Sequence, residues 1–400
     1  MRRLLAAVSR ETAGLPRLPR SGRALLLAAI LAAALLSGAC TQIAGPQGWA
    51  APVAADGTLV VSLERGKLTA LDPTTGQPRW TFPGDSKEDQ KLKLEAIYST
   101  PVVAGGRVYL GAYDGAVYAL DAGSGSIVWR AETGGPIVGG LALAGDVVYV
   151  GSLDRKIYAL DARTGEPRWP QPFNAGHEVF AQPVVQGDLV YVATMGGHLY
   201  ALDAAAGGPR WSFKADAALP AAPAFDQGRL YVGGLDNGLY ALDAVDGRLL
   251  WSFKAGNWFW TTPLVQDGVV YAAALDRKVY ALDAETGQPR WSQPFKTLGE
   301  VRATPALVAG ALVVADRDGN VYGLRPDTGE QVWSRPLDAG VLANPLVMND
   351  SVYFSLRNGH LERVDPATGK HTTLVPSPTP PPATSTPSSS ARPRLGEVTR

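Results

Sequence analysis

A segment that recurs about every forty residues constrains the fold of this 400-residue chain more than any other feature. Its clearest copy is Tyr280-Ala-Leu-Asp-Ala-Glu-Thr-Gly-Gln-Pro-Arg-Trp291. The same spelling begins at Tyr118, Tyr158, Tyr200 and Tyr240, and looser copies lie around Asp72, Arg325 and Asp365. Because repeats of this kind stack side by side and share one continuous core, we expect one large domain rather than two or three.

The spacing of the repeat indicates the size of its unit. Seven copies carry a tryptophan four residues after the glycine, and these tryptophans are Trp80, Trp129, Trp169, Trp211, Trp251, Trp291 and Trp333. A period near forty is typical of four short strands, which make one propeller blade. A composition with 45 Gly and 31 Pro also favours many short strands joined by turns. We therefore predict an all-β, eight-bladed β-propeller of four-stranded antiparallel blades over residues 49–375.

Each copy divides into four strands, which we name A to D. Strand A follows a proline, a residue suited to a sheet edge, at Pro52, Pro101, Pro183, Pro223, Pro263, Pro305 and Pro345, with Leu141 in the remaining copy. A hairpin turn separates B from C, the Tyr-Ala-Leu-Asp signature ends C, and D carries the tryptophan. In the C–D turn the aspartate can accept backbone N–H groups and the glycine can take a positive φ. We expect each tryptophan to dock on the next blade, near the alanine that precedes this aspartate.

The N-terminus has the pattern of a secretory signal. Six arginines precede an apolar run from Ala24 to Ala39, and the sole cysteine, Cys40, follows in Leu36-Ser-Gly-Ala-Cys40. This resembles the lipobox of bacterial lipoproteins, so we assign residues 1–39 to a lipoprotein-type signal peptide and Cys40 to lipidation. An ordinary cleaved signal and an uncleaved anchor remain alternatives. Each reading places the body outside the cytoplasm, and the resemblance implies a lipid anchor in a bacterial membrane.

The remaining segments are a short linker and a polar tail. Residues 40–48 form the linker, and residues 376–400 form a tail rich in Pro, Ser and Thr that is too poor in apolar residues to fold. Without residues 1–39 the chain has 31 basic and 36 acidic residues, a net charge of about −5. No basic footprint for nucleic acid is present. We expect a monomeric propeller.

The docking motif carries a family resemblance. The pattern Ala-x-Asp-x-x-Thr-Gly-x-x-x-Trp, which ends at Trp80, Trp169 and Trp291, resembles that of the pyrroloquinoline-quinone (PQQ) repeat propellers. Within that superfamily, the start and length of the chain are most similar to outer-membrane assembly lipoproteins of the BamB type. The resemblance implies a membrane-tethered scaffold for protein partners of the cell envelope. The last copies depart from the motif: Arg325 replaces Asp, Gly323 replaces Ala, and Thr373 stands at the last tryptophan position. We therefore expect a weaker final dock, or ring closure by residues 41–50.

The residue types in the sequence bear on whether the chain is an enzyme. PQQ-dependent dehydrogenases of this superfamily use an adjacent cysteine pair and a calcium site, whereas Cys40 is the only cysteine here. The four histidines, His177, His198, His360 and His371, fall in different units without metal-ligand spacing. We therefore expect no catalytic residues, no metal and no cofactor. The alternative is an extracytoplasmic sensor, a propeller that binds a PQQ-like small ligand, or a degenerate quinoprotein dehydrogenase.

Variation among the copies points to one face of the ring. The connections from D to the next A differ most, and we expect them to share a face with the B–C turns. Three residues before the strand-A proline lie Trp49, Tyr98, Phe180, Trp260 and Arg302, and Trp258 and Phe259 precede Trp260. Our hypothesis is that these seven residues surround the mouth of the central channel and bind a partner. Alternatively, they only plug the funnel.

Overall fold

The structure, a computed structural model, describes residues 50–375 except Asp56, Glu64, Arg65 and Lys93. The predictions for the signal peptide, Cys40, the linker, Trp49 and the C-terminal tail lie outside these residues. Within them, 32 strands form eight four-stranded antiparallel sheets arranged in a ring. Each sheet consists of four consecutive strands of the chain. The predicted eight-bladed propeller is confirmed.

The first four blades hold strands β1 to β16. Blade 1 has β1 (Val53–Ala55), β2 (Thr58–Val61), β3 (Leu68–Leu71) and β4 (Pro78–Phe82). Blade 2 has β5 (Val102–Ala104), β6 (Arg107–Gly111), β7 (Ala116–Asp121) and β8 (Ile127–Glu132). Blade 3 has β9 (Leu141–Ala144), β10 (Val147–Gly151), β11 (Lys156–Asp161) and β12 (Phe173–Asn174). Blade 4 has β13 (Val184–Gln186), β14 (Leu189–Ala193), β15 (His198–Asp203) and β16 (Pro209–Lys214).

The last four blades hold strands β17 to β32. Blade 5 has β17 (Ala224–Asp226), β18 (Arg229–Gly233), β19 (Gly238–Asp243) and β20 (Leu249–Lys254). Blade 6 has β21 (Leu264–Gln266), β22 (Val269–Ala274), β23 (Lys278–Asp283) and β24 (Phe295–Lys296). Blade 7 has β25 (Ala306–Val308), β26 (Ala311–Ala315), β27 (Asn320–Leu324) and β28 (Gln331–Pro336). Blade 8 has β29 (Leu346–Met348), β30 (Ser351–Ser355), β31 (Leu361–Val364) and β32 (His371–Val375).

The hydrophobic core lies between neighbouring blades rather than within single ones. The two inner strands B and C are buried on both faces because a blade packs on each side. One cluster joins Tyr231 and Leu239 of blade 5 to Phe259, Val270 and Leu282 of blade 6, all at most 1% exposed. Burial of this kind therefore stabilises the ring only when both neighbours are present.

Each tryptophan docks on the next blade, as predicted, but its indole lies at the residue after the turn aspartate and not at the alanine before it. Trp169 Nε1 donates to the carbonyl oxygen of Ala204 in the next blade at 2.9 Å. The seven acceptor carbonyls belong to Ala122, Ala162, Ala204, Ala244, Ala284, Pro326 and Pro366, at 2.8–3.2 Å. These residues follow the turn aspartate or its replacement. The alanine before the aspartate instead pairs with the tryptophan of its own blade, as Ala241 does with Trp251.

Among residues 50–375, no tryptophan of blade 8 docks on blade 1, so this junction differs from the other seven. A Cβ on Gly76 of blade 1 would lie 2.4 Å from the carbonyl oxygen of Leu374, so the backbone of β32 lies directly on the first C–D turn. Leu59 and Val61 of blade 1 share a core cluster with Tyr353 of blade 8. The last blade is therefore packed against the first by backbone contact and aliphatic side chains.

One expectation about the ends of the ring is changed, and another stays a prediction. In blade 8 the β-bulge moves to Leu361/Glu362, so Thr372 lies opposite Arg363 and Thr373 faces Glu362. Thr373 therefore does not occupy the tryptophan place that its distance from Gly369 predicts. Of residues 41–50 the structure describes Ala50, which packs in the cluster between blades 1 and 2. Closure of the ring by residues 41–49 remains untested.

The longest D–A connection, between blades 1 and 2, contains a 3-10 helix at Asp89–Lys91. Asp89 and Lys91 make it a short charged helix. Across the described part of the chain, no helix has the length and apolar character needed to cross a membrane.

Candidate functional site

The D–A connections and the B–C turns share one face of the ring, as predicted. Gly134 N–H in the second D–A connection donates to Asp154 Oδ2 in a B–C turn at 3.1 Å. Gly256 N–H donates in the same way to Asp276 Oδ2 at 3.0 Å. The C–D and A–B turns bond to each other on the opposite face, where Ala284 N–H donates to the Gly268 carbonyl at 2.9 Å.

The recurring aspartates of the B–C turns have a structural role. Tyr280 donates its hydroxyl hydrogen to Asp276 Oδ2, and Tyr118 donates to Asp114 at 2.5 Å. Burial, helped by this bond to the carboxylate, raises the pKa of Tyr118 to about 12. The phenols thus remain protonated donors at neutral pH. A tyrosine in strand C that holds a turn aspartate is a feature of the repeat that the sequence analysis missed.

The loop Asp316-Arg-Asp-Gly-Asn320 is one of these hairpins. Asp316 is fully buried, and its two carboxylate oxygens accept hydrogen bonds from Gly299 N–H, Asn320 Nδ2 and the Tyr322 hydroxyl. Both oxygens therefore already accept hydrogen bonds, which hold the turn in place.

The mouth of the central channel brings together residues from all eight blades. It is a cavity of about 150 Å³ lined by the segments that precede each strand A. Tyr98, Phe180, Trp260 and Arg302 all line this cavity and are all half-buried. The shared position that these residues have before the strand-A proline therefore places them around one opening. Trp49, the fifth member of the set, lies outside the described residues.

Arg302 is the charged member of the channel mouth. Its guanidinium lies 6.0 Å from the centre of the Trp260 ring and 2.8 Å from Glu300 Oε2. Arg317 lies 3.2 Å from the same oxygen, so two arginines share one carboxylate. This cluster keeps Arg302 beside the aromatic surface and leaves local positive charge.

Phe259 does not belong to the partner-binding set. It is 1% exposed and packs between blades 5 and 6. A Cβ added to Gly233 would lie 2.4 Å from the Cβ of Phe259. The equivalent position, four residues before the strand-A proline or Leu141, holds buried apolar residues in six other blades: Ile97, Ile137, Val179, Leu219, Val301 and Val341. An alignment of the copies could have shown from the sequence that this position is apolar. Trp258 is 44% exposed on the same connection but does not line the cavity.

The histidines form two separate groups. His198 stacks on Tyr200 at 5.3 Å in blade 4, with His177 at 6.5 Å from its ring. Burial lowers the pKa of His198, and Lys214 and His177 add to this effect. His360 and His371 belong to blade 8, in contact with Asp338 and Glu362 respectively. His198 and His360 both follow B–C turns, but they lie in separate groups in blades 4 and 8.

These features define a class of protein. Eight four-stranded blades, docked by tryptophans on the turns of the next blade, make the chain a PQQ-repeat β-propeller. The chain belongs to the family whose model is described as outer membrane protein assembly factor BamB, which matches residues 39–125, 113–222, 197–339 and 279–393.

Individual relatives match shorter stretches. BamB of Escherichia coli (strain K12) is 36% identical over 93 residues, which cover 22% of this chain and 23% of that protein. The quinohemoprotein alcohol dehydrogenase of Comamonas testosteroni is 34% identical over 86 residues, 21% of this chain and 12% of the enzyme. The matched segments thus span less than a quarter of these relatives.

Solved structures share the fold over most of the chain. BamB from Moraxella catarrhalis superimposes with a TM-score of 0.66 at 20% identity, covering 78% of this chain and 93% of that one. Quinohemoprotein alcohol dehydrogenase from Comamonas testosteroni gives 0.64 at 16% identity, covering 82% and 73%. The propeller fold is therefore common to both, and it does not distinguish a scaffold from an enzyme.

Proposed function

We propose that this chain is a non-catalytic extracytoplasmic scaffold, tethered to a bacterial membrane through a lipid on Cys40. In this proposal it binds a protein of the outer-membrane assembly machinery through the channel mouth. The observation that carries the proposal is the convergence of Tyr98, Phe180 and Trp260 on one opening, in a chain of the BamB family.

The chemistry of the channel mouth favours a protein partner. Aromatic residues and arginine are enriched among the residues that dominate binding energy at protein interfaces. Here three aromatic side chains and Arg302 are held by a ring whose blades are docked to each other. A rigid frame lowers the entropy lost on association, so half-buried anchors of this kind can bind without rearrangement. We expect the partner to insert an apolar side chain from an exposed loop between these rings.

The lining of the channel mouth offers few groups that would hold a quinone cofactor. PQQ is a rigid tricyclic tricarboxylate, and small-molecule pockets occupy roughly 300–1,000 Å³. The cavity of about 150 Å³ is smaller. Of the described residues that line it, Arg302 alone is cationic, and it is already bonded to Glu300. Three carboxylates would find too few donors here, which supports a role without this cofactor.

The partner claim is tested by capture from native membranes. The full-length chain is compared with a variant in which Trp258 and Trp260 are replaced by Ser, and the β-barrel insertion protein that co-purifies is quantified. We expect at least a tenfold loss of this protein, with little change in melting temperature. Unchanged capture together with a large loss of stability would contradict the proposal and favour the funnel-plug alternative.

Two further measurements separate the remaining parts of the proposal. Mass spectrometry of the N-terminal peptide should find an acylated Cys40, and Cys40→Ser should release the chain from the membrane fraction. Purified protein mixed with PQQ and Ca²⁺ should show no spectrum of bound quinone. A stoichiometric quinone spectrum would support the alternative of a ligand-binding propeller.

A further inference from the structure

Blade 8 departs from the repeat at a buried position of strand C. Six blades have a tyrosine there, namely Tyr118, Tyr158, Tyr200, Tyr240, Tyr280 and Tyr322, whereas blade 8 has Glu362. Glu362 is 1% exposed. A buried carboxylate is costly unless cations or several donors compensate it, so its surroundings must supply that compensation.

The outer strand of blade 8 supplies two contacts to Glu362. Thr373 donates its hydroxyl hydrogen to Oε1 at 2.5 Å, and His371 Nδ1 lies 3.1 Å from Oε2. These two side chains fix the orientation of the carboxylate from β32. Both contacts come from within blade 8. Both carboxylate oxygens keep further lone pairs that can bind another group.

Two more ligand-type groups lie beside this carboxylate. His360 lies just before strand β31, two residues before Glu362, and its ring lies near the Glu362 carboxylate. Asp338 comes from the connection between blades 7 and 8, and its Oδ2 lies 3.5 Å from His360 Nδ1. One ligand atom each of Asp338, His360 and Glu362 lies within 4.8 Å of the other two.

The histidine nitrogen in this group is without a hydrogen bond. His360 Nδ1 is buried and has no hydrogen-bond partner, although Asp338 is near. A buried nitrogen of this kind either stays unsatisfied or binds something that is not a protein donor. Ligand atoms bound to tetrahedral zinc at 2.0–2.2 Å lie roughly 3.3–3.6 Å apart. The Asp338–His360 separation already has this value, so a small contraction toward Glu362 completes a three-ligand site.

The contrast with blade 7 supports this reading. Around the buried Asp316, every contact is an N–H or O–H donor, and the carboxylate is satisfied without a cation. In blade 8 the carboxylate instead lies beside a second carboxylate and a histidine nitrogen, all of which are electron-pair donors. Two carboxylates and an imidazole this close are stabilised by a divalent cation.

We propose that Asp338, His360 and Glu362 bind a divalent transition metal of the Zn²⁺ type. His371 acts as an outer partner that orients Glu362, as second-shell groups do in metal sites. The fourth coordination position is left for water. Bound metal would tie the connection between blades 7 and 8 to strand C of blade 8, and so would add to the Trp333 dock that joins these two blades.

The test measures Zn²⁺ binding by the full-length chain in detergent, with an affinity tag that contains no histidine. Calorimetric titration at pH 7.5 should give one Zn²⁺ per chain. Asp338→Asn and His360→Gln should each weaken binding at least tenfold, a loss of the size seen when metal-site groups are removed. His198→Gln in blade 4 is the matched control and should bind as the wild type does. Saturating Zn²⁺ should also raise the melting temperature of the wild type but not of the His360→Gln variant.

A double variant removes a proposed metal ligand in a chain that should still fold. Glu362→Tyr combined with Asn358→Asp installs the tyrosine–aspartate pair of the other blades, so this variant should fold and bind no Zn²⁺. Binding that persists in both His360→Gln and the double variant would overturn the proposal. So would a wild-type titration with no stoichiometric binding, in which case the cluster is only an ion pair between Asp338 and His360.

Discussion

Trp169 of blade 3 donates its indole N–H to the carbonyl oxygen of Ala204 in blade 4 at 2.9 Å. Tyr149 donates its hydroxyl hydrogen to the same oxygen at 3.0 Å, so one carbonyl accepts two bonds from the preceding blade. The indole also lies on Gly207, where a Cβ would approach it to 2.6 Å at a φ of +75°. The dock therefore requires the glycine as much as the tryptophan.

This dock predicts a graded response to substitution of Trp169. Trp169→Phe removes the indole N–H and keeps most of the packing, so we expect a loss of about 0.5–1.5 kcal/mol in the free energy of unfolding. Trp169→Ala also leaves a cavity and should cost about 3–5 kcal/mol. Urea denaturation measures both. Equal losses for the two variants would show that the hydrogen bond, and not the packing, dominates the dock.

Closure of the ring can be tested with two glycines that share a backbone conformation. Gly76 and Gly57 both have a φ of +70°, but only a Cβ on Gly76 would meet another group, the Leu374 carbonyl oxygen at 2.4 Å. Gly57→Ala should therefore cost only the strain of a positive φ, about 1–2 kcal/mol. Gly76→Ala should cost clearly more, because blade 8 must move away. Equal unfolding free energies would mean that this contact does not hold the ring closed.

Two adjacent aromatic residues in the connection between blades 5 and 6 should differ in how much their replacement lowers stability. Phe259 is 1% exposed and Trp258 is 44% exposed. Phe259→Ala should lower the free energy of unfolding by about 3–5 kcal/mol, since it empties a core site. Trp258→Ala should change it by no more than about 0.5 kcal/mol, as is usual for surface substitutions. Thermal unfolding of the two variants in parallel measures both losses of stability. Similar losses would contradict a fold in which Phe259 is buried and Trp258 is exposed.

The turn aspartates predict how stability depends on pH. The backbone N–H of Thr75, followed by the Arg79 side chain, lowers the pKa of Asp72 from 3.8 to about 2. The pKa of Asp283 and that of Asp365 are also lowered, in each case first by a hydroxyl group of the aspartate's own turn. A carboxyl group with a depressed folded-state pKa contributes stability that is complete above its ordinary pKa and is lost as the pH falls through the folded value. The melting temperature should thus be steady above about pH 4 and fall between pH 4 and 2.

The control for this pH dependence is Asp72→Asn, which keeps the turn hydrogen bonds and cannot titrate. Its melting temperature should fall less between pH 4 and 2 than that of the wild type. A wild-type melting temperature that declines mainly between pH 7 and 5 would point to other groups and contradict the assignment.

The sequence predicted those features that repeat, because eight copies reinforce each other. The turn Asp and Gly, the tryptophan docks and the shared position of Tyr98, Phe180 and Trp260 are all of this kind. The acceptor of each dock was missed because it lies in the turn of the next blade, and the spacing within one copy does not show how neighbouring blades pack. The blade 8 cluster was missed because Glu362 and its partners occur once, with Asp338 24 residues before it. A single copy has no period, and only the folded chain brings such residues together.

The channel mouth as the docking surface is tested most directly by site-specific photo-cross-linking in native membranes. A photoreactive phenylalanine derivative replaces Trp260 at the channel mouth or Val245, which is 79% exposed in a C–D turn on the opposite face. We predict a cross-link from position 260 to a β-barrel protein of the outer-membrane assembly machinery, and none from position 245. A cross-link to that protein from position 245 with none from position 260 would contradict the account.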